Sequence, residues 1–259
     1  MRNPVVVVGM GEMGSVFARG FLRAGHPVFP VVRNMDMTTV AYELAAKQVE
    51  PRLVLIAVAE ADLHPVLQEV PAAWRDRLVL LQNELLPNDW LQYELDPTVI
   101  SVWFEKKKGM DSKVIIPSPV YGKYASDIAE ALISIDIATH VLQSSEALMF
   151  ELVLKNVYIL TTNIAGLQTG GNVGELWAHH RKIATAVARE VIELQEILTC
   201  QGCDSTALID GMVNAFNGDL NHQCMGRSAP GRLARALDLA EKKGLNLKTL
   251  KKISAASQA

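Results

Sequence analysis

Cysteine is scarce in this chain: three among 259 residues. That is too few for a disulfide framework, so a reducing, cytoplasmic setting is the expectation. Positive charge is scarce as well. The net charge is −3 and the densest basic run, "EKKKG" at 105–109, reads as a short solvated turn, so no nucleic-acid partner is expected. No apolar run approaches the roughly 18 residues that cross a bilayer, so no membrane association is expected. Glu12 and three glycines interrupt the first apolar stretch, which therefore does not read as a signal peptide. Internal repeats, low-complexity tracts, a G-x-S-x-G elbow and paired catalytic carboxylates are all missing. "CQGC" at 200–203 with "HQC" at 222–224 matches no common zinc spacing, and Cys200 lies in an apolar helical register, so no metal is expected. Without a thioredoxin-like βαβ context, CxxC does not read as a redox pair. His179 and His180 read as surface or interface residues.

What remains is an ordinary globular composition, 49% hydrophobic and 20% charged, with ample material for a core. The first 143 residues alternate apolar runs with amphipathic ones. "PVVVVG", "PVFPVV", "RLVLIAV", "RLVLLQN", "VISVWFE" and "KVIIPSP" read as strands; "EMGSVFARGFLRAG", "TTVAYELAAKQ", "DLHPVLQEV" and "KYASDIAEALIS" read as helical. Pro27 and Pro30 predict irregular pairing in the second strand. From Ser144 onward only helices are predicted: 145–167, one long helix over 175–202, then 204–216 and 230–244. Gly202 and Gly244 serve as stop signals. The fold class is α/β, an N-terminal Rossmann-type doubly wound sheet over 1–143 followed by an all-α domain over 144–259.

The strand "VVVV" runs into Gly9-Met10-Gly11-Glu12-Met13-Gly14 and a helix. This spacing in this context is a dinucleotide cradle. The first glycine permits the tight turn, the second lets backbone approach a pyrophosphate, and the third lets helix and strand pack closely. Helix N-terminal N–H groups then face the phosphates. A strand–turn–helix that is merely glycine-rich is the plainer alternative. At the end of the second strand, where NAD-binding domains place an acid, stand Arg33 and Asn34. A guanidinium suits a ribose 2′-phosphate, which favours NADP; nearby Asp36 keeps NAD open.

Two further stretches carry a resemblance. "LVLLQNELLP" ends a strand in Gln82-Asn83, and "LKNVYILTTNIAGLQTGGNVGEL" holds Lys155, Asn163 and Gly174-Glu175-Leu176. With the glycine motif, these residues make the chain resemble the ketopantoate reductases, the NADP-dependent 2-dehydropantoate 2-reductases of pantothenate biosynthesis, in register through both domains. The resemblance implies hydride transfer from NADPH to the C2 carbonyl of a small-molecule 2-oxo acid. It implies Lys155 as general acid, Asn163 and Cys224 at the substrate, and Asn83 beside both nicotinamide and substrate. It also implies that Val58 and Ala59, after the third strand, line the cofactor site.

Physical chemistry agrees with those roles. A carbonyl accepting hydride becomes an alkoxide, which an ammonium stabilises and protonates; partial burial lowers a lysine pKa from ~10.4 and eases the transfer. On a helix, Thr162 projects about 20° and Asn163 about 80° from Lys155, one polar stripe on an apolar helix. The plainer alternatives are a surface Lys155 paired with Glu151 and an Asn163 amide satisfied by backbone. Glu175 reads as a helix-starting residue.

The chain departs from the family at several points. Ile159 stands where another asparagine is common, and Asn156 shares a face with Asn163. Cys224-Met225 replaces a Ser-Met pair, and no acid lies between Asp219 and Asp238 where the family has a glutamate. Glu60 stands near the position of a phosphate-binding lysine. Two other readings stay open: a reductase of the same plan acting on a β-hydroxyacid or an imine, and an NADP-binding regulatory protein without turnover. A helical second domain in this class often supports a homodimer, an analogy of fold.

Overall fold

A computed structural model describes residues 2–257. The chain divides into two compact units, Met1–Glu151 and Leu152–Ala259. The first runs β1 (Val5–Val8), α1 (Glu12–Arg23), β2 (Val28–Val31), α2 (Met37–Ala46), β3 (Leu53–Ile56), α3 (Leu63–Glu69), β4 (Leu78–Leu80), α4 (Asn88–Leu91), β5 (Thr98–Ile100), β6 (Phe104–Glu105), β7 (Lys113–Val114), β8 (Ser118–Tyr121), α5 (Ala125–Ile133) and β9 (Thr139–Val141). Helix α6 (Ser145–Thr169) starts one residue after the change of texture at Ser144. It is followed by α7 (Val173–His179), α8 (Arg181–Thr199), α9 (Ser205–Gly218), α10 (Ala229–Lys242) and α11 (Lys248–Ser257).

The main sheet has the order β2-β1-β3-β4-β5-β8-β9. Strands β1 to β5 pair in parallel, and β8 pairs antiparallel to β5 with β9 parallel to β8. The strands are continuous apolar runs because both sheet faces are covered. Val5, Val7, Leu53 and Leu55 share one core with Phe17, Phe21, Ile128 and Leu132; Val6, Val54 and Ile56, pointing the other way, are buried too. The order reverses at β1, whose neighbours β2 and β3 lie on opposite sides. The crevice beyond the carboxyl ends of β1 and β3 is where open α/β sheets take their ligands.

Several local expectations change. The second strand pairs regularly with β1 despite its prolines, from Val5↔Val28 to Val8↔Val31. It is the sheet's edge strand, and Pro30 faces solvent there, where a missing N–H costs no ladder bond. "VISVWFE" breaks into β5 and β6, and "KVIIPSP" into β7 and the start of β8. The helix expected over 175–202 is two, because His180 (φ −124°, ψ 25°) leaves the helical region and ends α7 as it begins α8. Strand β9 and helix α11 had no counterpart in the sequence reading.

In the second unit, a buried bond from Asn156 Nδ2 to Gln195 Oε1 (2.9 Å) ties α6 to α8. The Glu190 carboxylate on α8 accepts from the backbone N–H groups of Thr249 and Leu250, capping α11. Helix α6 is long and apolar enough to cross a membrane by length and composition, but 78% of its most apolar window is buried inside the protein, as in a core helix.

Candidate active site: a glycine cradle and a buried lysine

The cradle lies in the first unit. Gly9 has φ +92°, and a Cβ there would sit 2.6 Å from the Ala57 carbonyl oxygen. A Cβ on Gly14 would collide with the Gly9 carbonyl oxygen. Both glycines are therefore demanded by the fold itself. Gly11 is different: its φ of −70° suits any residue, and a Cβ would meet nothing within 4 Å. It borders open space at the N-terminus of α1, and it supplies no side-chain cap to the first-turn N–H groups. Open backbone of this kind at a helix start is compatible with a pyrophosphate. Met10 and Met13 are partly buried against the core beneath.

The strand ends beside it are knit together. The Gly9 N–H donates to Val31 O at 2.9 Å and the Ala57 N–H to Val8 O at 2.7 Å. Gln82, at the end of β4, donates from Nε2 to the carbonyls of Ile56 (2.7 Å) and Val58 (3.3 Å), holding the turn that carries Val58 and Ala59. Asn83 Nδ2 donates to Glu60 Oε1 at 3.0 Å, so the acid at the family's lysine position orients the Asn83 amide. Arg33 is 95% exposed beyond β2, near Asp62 at 3.7 Å, and Asn34 is exposed beside it. Asp36, the acid that kept NAD open, accepts from the Thr39 N–H and Oγ1–H at 2.7 Å each and caps α2; those bonds lower its pKa.

The "EKKKG" run is more than a solvated turn. Lys106 donates to the carbonyls of Lys107 and Met110 and lies 3.4 Å from Glu12. The β6–β7 hairpin thus brings a cation to the first turn of α1, which no local sequence signal announced.

The second unit carries the polar row. Lys155 and Asn163 are each 9% exposed and Thr162 is buried. A surface lysine paired with Glu151 would keep a normal or raised pKa. Lys155 is instead pushed down to about 7, first by burial and then by the charge of Arg232. Its Nζ lies 5.9 Å from the centre of the Tyr158 ring. Asn163 Nδ2 donates to the Cys224 carbonyl (3.2 Å), and its Oδ1 accepts from Arg232 Nη1 (2.9 Å). This fixes the amide orientation, since a flipped amide would set donor against donor. The Cys224 thiol is fully buried with its pKa pushed up to about 11, mainly by burial; its carbonyl is the group that meets Asn163.

Arg232, on α10, escaped the sequence reading, although an arginine in the segment where the family carries an acid was visible. Asn156 is committed to Gln195 and does not join the row. Glu175 begins α7 through a reciprocal capping box with Asn172. Among the described residues, no group of three or more His, Cys, Asp or Glu side chains is placed to hold a metal. A cavity of about 660 Å³ near His180 and Arg181 includes none of the predicted site residues.

No protein-family model and no curated protein sequence matches the chain. Solved structures do, at low identity. A probable 2-dehydropantoate 2-reductase from Bacillus subtilis aligns over 98% of this chain and 99% of its own, with TM-score 0.66 and 14% identity. A dimeric ketopantoate reductase from Staphylococcus aureus aligns over 98% and 97%, with TM-score 0.65 and 12% identity. A D-mandelate dehydrogenase in complex with NADH and anilino(oxo)acetate aligns over 98% and 97%, with TM-score 0.68 and 12% identity. The chain has the ketopantoate reductase fold over nearly its full length.

Proposed function

We infer that this protein is a nicotinamide-dependent reductase of a small 2-oxo acid, with the glycine cradle holding the dinucleotide and Lys155 acting as general acid. The observation that carries the reading is Lys155 itself. A buried lysine with a pKa of about 7 costs the fold stability, and such groups cluster where proton transfer is needed. The full-length likeness in fold to ketopantoate reductases and D-mandelate dehydrogenase supports the same chemistry.

The residues present fit a dinucleotide. Gly11 leaves open space at an uncapped helix start, with Val58, Ala59 and Asn83 at the neighbouring strand ends. When bound, the reduced nicotinamide supplies hydride to the substrate's C2 carbon. Lys155 donates its proton to the carbonyl oxygen as charge develops there, and Asn163, held between Arg232 and Cys224 O, orients the substrate. NADP is the cofactor in this reading: Arg33 is exposed at the end of the second strand, while Asp36 is spent on α2. A homodimer in the cytoplasm completes the proposal, by analogy with the dimeric neighbour.

The test is NADPH oxidation with a panel of 2-oxo acids by wild type and Lys155→Ala. Loss of the general acid should reduce kcat by about 10²- to 10⁴-fold. Undiminished turnover in the variant would exclude the lysine mechanism. Tight NADPH binding without turnover of any 2-oxo acid would point to a binding protein instead.

A further inference from the structure

Two side chains meet beyond the carboxyl ends of β3 and β4. Asn83 follows β4, and Glu60 opens the short 3-10 turn Glu60–Asp62 that follows β3. The Asn83 Nδ2 donates to Glu60 Oε1 at 3.0 Å, and both residues are partly exposed. Gln82, the neighbour of Asn83, donates to the carbonyls of Ile56 and Val58. The segment leading to Glu60 is thereby locked to the strand end that carries Asn83. The Asp62 N–H closes the turn on the Ala59 carbonyl at 2.9 Å. After Asn83 the chain bends sharply at Glu84, whose φ of +62° is left-handed. An L side chain holds that conformation at a cost, and such residues cluster at ligand clamps.

A carboxylate only accepts hydrogen bonds. The Asn83 amide therefore has one orientation, with Nδ2 toward Glu60 and Oδ1 turned away from it. A dinucleotide in an open α/β sheet lies across the crevice at the carboxyl edge, with one ribose at the end of the second strand. In the order β2-β1-β3-β4, its other half then lies over the ends of β3 and β4, three strand spacings or about 14 Å from the end of β2. We propose that Glu60 is a positioning residue for the cofactor: it turns the Asn83 amide so that Oδ1 accepts from the carboxamide N–H of the nicotinamide, and the site thereby selects a ring that bears a carboxamide. This deepens the reductase reading and rests on the cofactor that reading assigns. Glu60 has the wrong charge to hold a phosphate, and its effect is exerted through Asn83. The locked segment on one side and the sharp bend on the other keep the pair in register without a ligand.

Calorimetric titration of the intact protein tests it and needs no turnover. The probes are NADP+ and its 3-acetylpyridine analogue, in which a methyl group replaces the carboxamide NH2. The proteins are wild type, Glu60→Ala, Glu60→Gln and Asn83→Ala. The analogue leaves the Asn83 acceptor unpaired, so wild type should bind NADP+ at least about fivefold tighter than the analogue. That ratio should approach one in Asn83→Ala and in Glu60→Ala. It should be partly kept in Glu60→Gln, whose Oε1 still accepts from Asn83. A merely structural role for Glu60 would weaken both dinucleotides alike and leave the ratio untouched. A ratio near one in wild type, or a ratio kept in Glu60→Ala or Asn83→Ala, overturns the proposal and leaves the cofactor reading standing. Failure of wild type to bind either dinucleotide would refute that reading and the proposal with it.

Discussion

Replacing Lys155 with methionine should stabilise the protein, by an amount that depends on pH in a defined way. The lysine pKa falls from 10.5 to about 7 on folding. Between those values the unfolded chain binds more protons than the native one, so native stability rises with pH across the window. The full penalty, present below pH 7, is about 5 kcal/mol at 1.36 kcal/mol per pKa unit. It is about 4 kcal/mol at pH 7, about 2 at pH 9 and about 1 at pH 10. Methionine has nearly the same length and no charge, so Lys155→Met removes this term. Urea denaturation of both proteins from pH 6 to 10 measures it. The stability difference should shrink by about 3 kcal/mol between pH 7 and pH 10. Any constant offset from packing of the methionine drops out, because only the change with pH is read. Stability curves that stay parallel from pH 7 to 10 would mean that Lys155 titrates near 10.5 in the native state, and the argument for a tuned proton donor would fall with them.

Other outcomes follow from the same geometry. Because Lys155 must be protonated to donate, kcat/KM for reduction should decline as pH rises through about 7; removing the neighbouring charge with Arg232→Gln should move that decline to higher pH, and an unmoved profile would assign the limb to another group. Gly11→Ala should leave urea stability within about 0.5 kcal/mol yet weaken NADPH at least about tenfold, whereas Gly14→Ala, which strikes the Gly9 carbonyl, should cost the fold about 1–3 kcal/mol; equal stability losses would contradict the division between them. Arg33→Ala should weaken NADPH by about 10- to 100-fold and NADH far less, and a matching loss for both would remove the basis for NADP.

Long, periodic or Gly-punctuated elements were legible in the sequence. The four valines, the helix after Gly14 and the apolar run containing Lys155 state their structure locally. What stayed hidden depended on tertiary neighbours. Pro30 looked disruptive until β2 proved to be an edge strand. His180 breaks a helical pattern with no glycine or proline to announce it. Lys106 reaches Glu12 only because a two-strand hairpin folds back on the cradle. Arg232 meets Asn163 across 69 residues of sequence, a pairing that no spacing rule reaches. The resemblance named Lys155, Asn163 and Cys224, but the partner that holds Asn163 and the cation that depresses Lys155 are the same arginine, Arg232.

The fold offers its own criterion for which of these residues serve function. Gly9, Gly14, Asn156 and Glu175 each satisfy a local demand: a positive φ, a close approach, a buried amide pair, a helix cap. Substituting them would injure structure first, so their presence says little about chemistry. Gly11 satisfies no such demand, and Lys155 is buried on α6. Gly11 forgoes the steadying effect of a side chain at a φ that needs no glycine, and Lys155 carries a charge into the interior at a cost of several kcal/mol. Binding energy from a ligand can offset such costs in a marginally stable fold. On the reductase reading, a pyrophosphate against the Gly11 backbone and an anionic substrate beside Lys155 would supply that offset. The anion acts in a second way. By placing negative charge beside the ammonium, it would raise the Lys155 pKa again, so that on this reading the bound complex would hold the proton that the carbonyl oxygen needs.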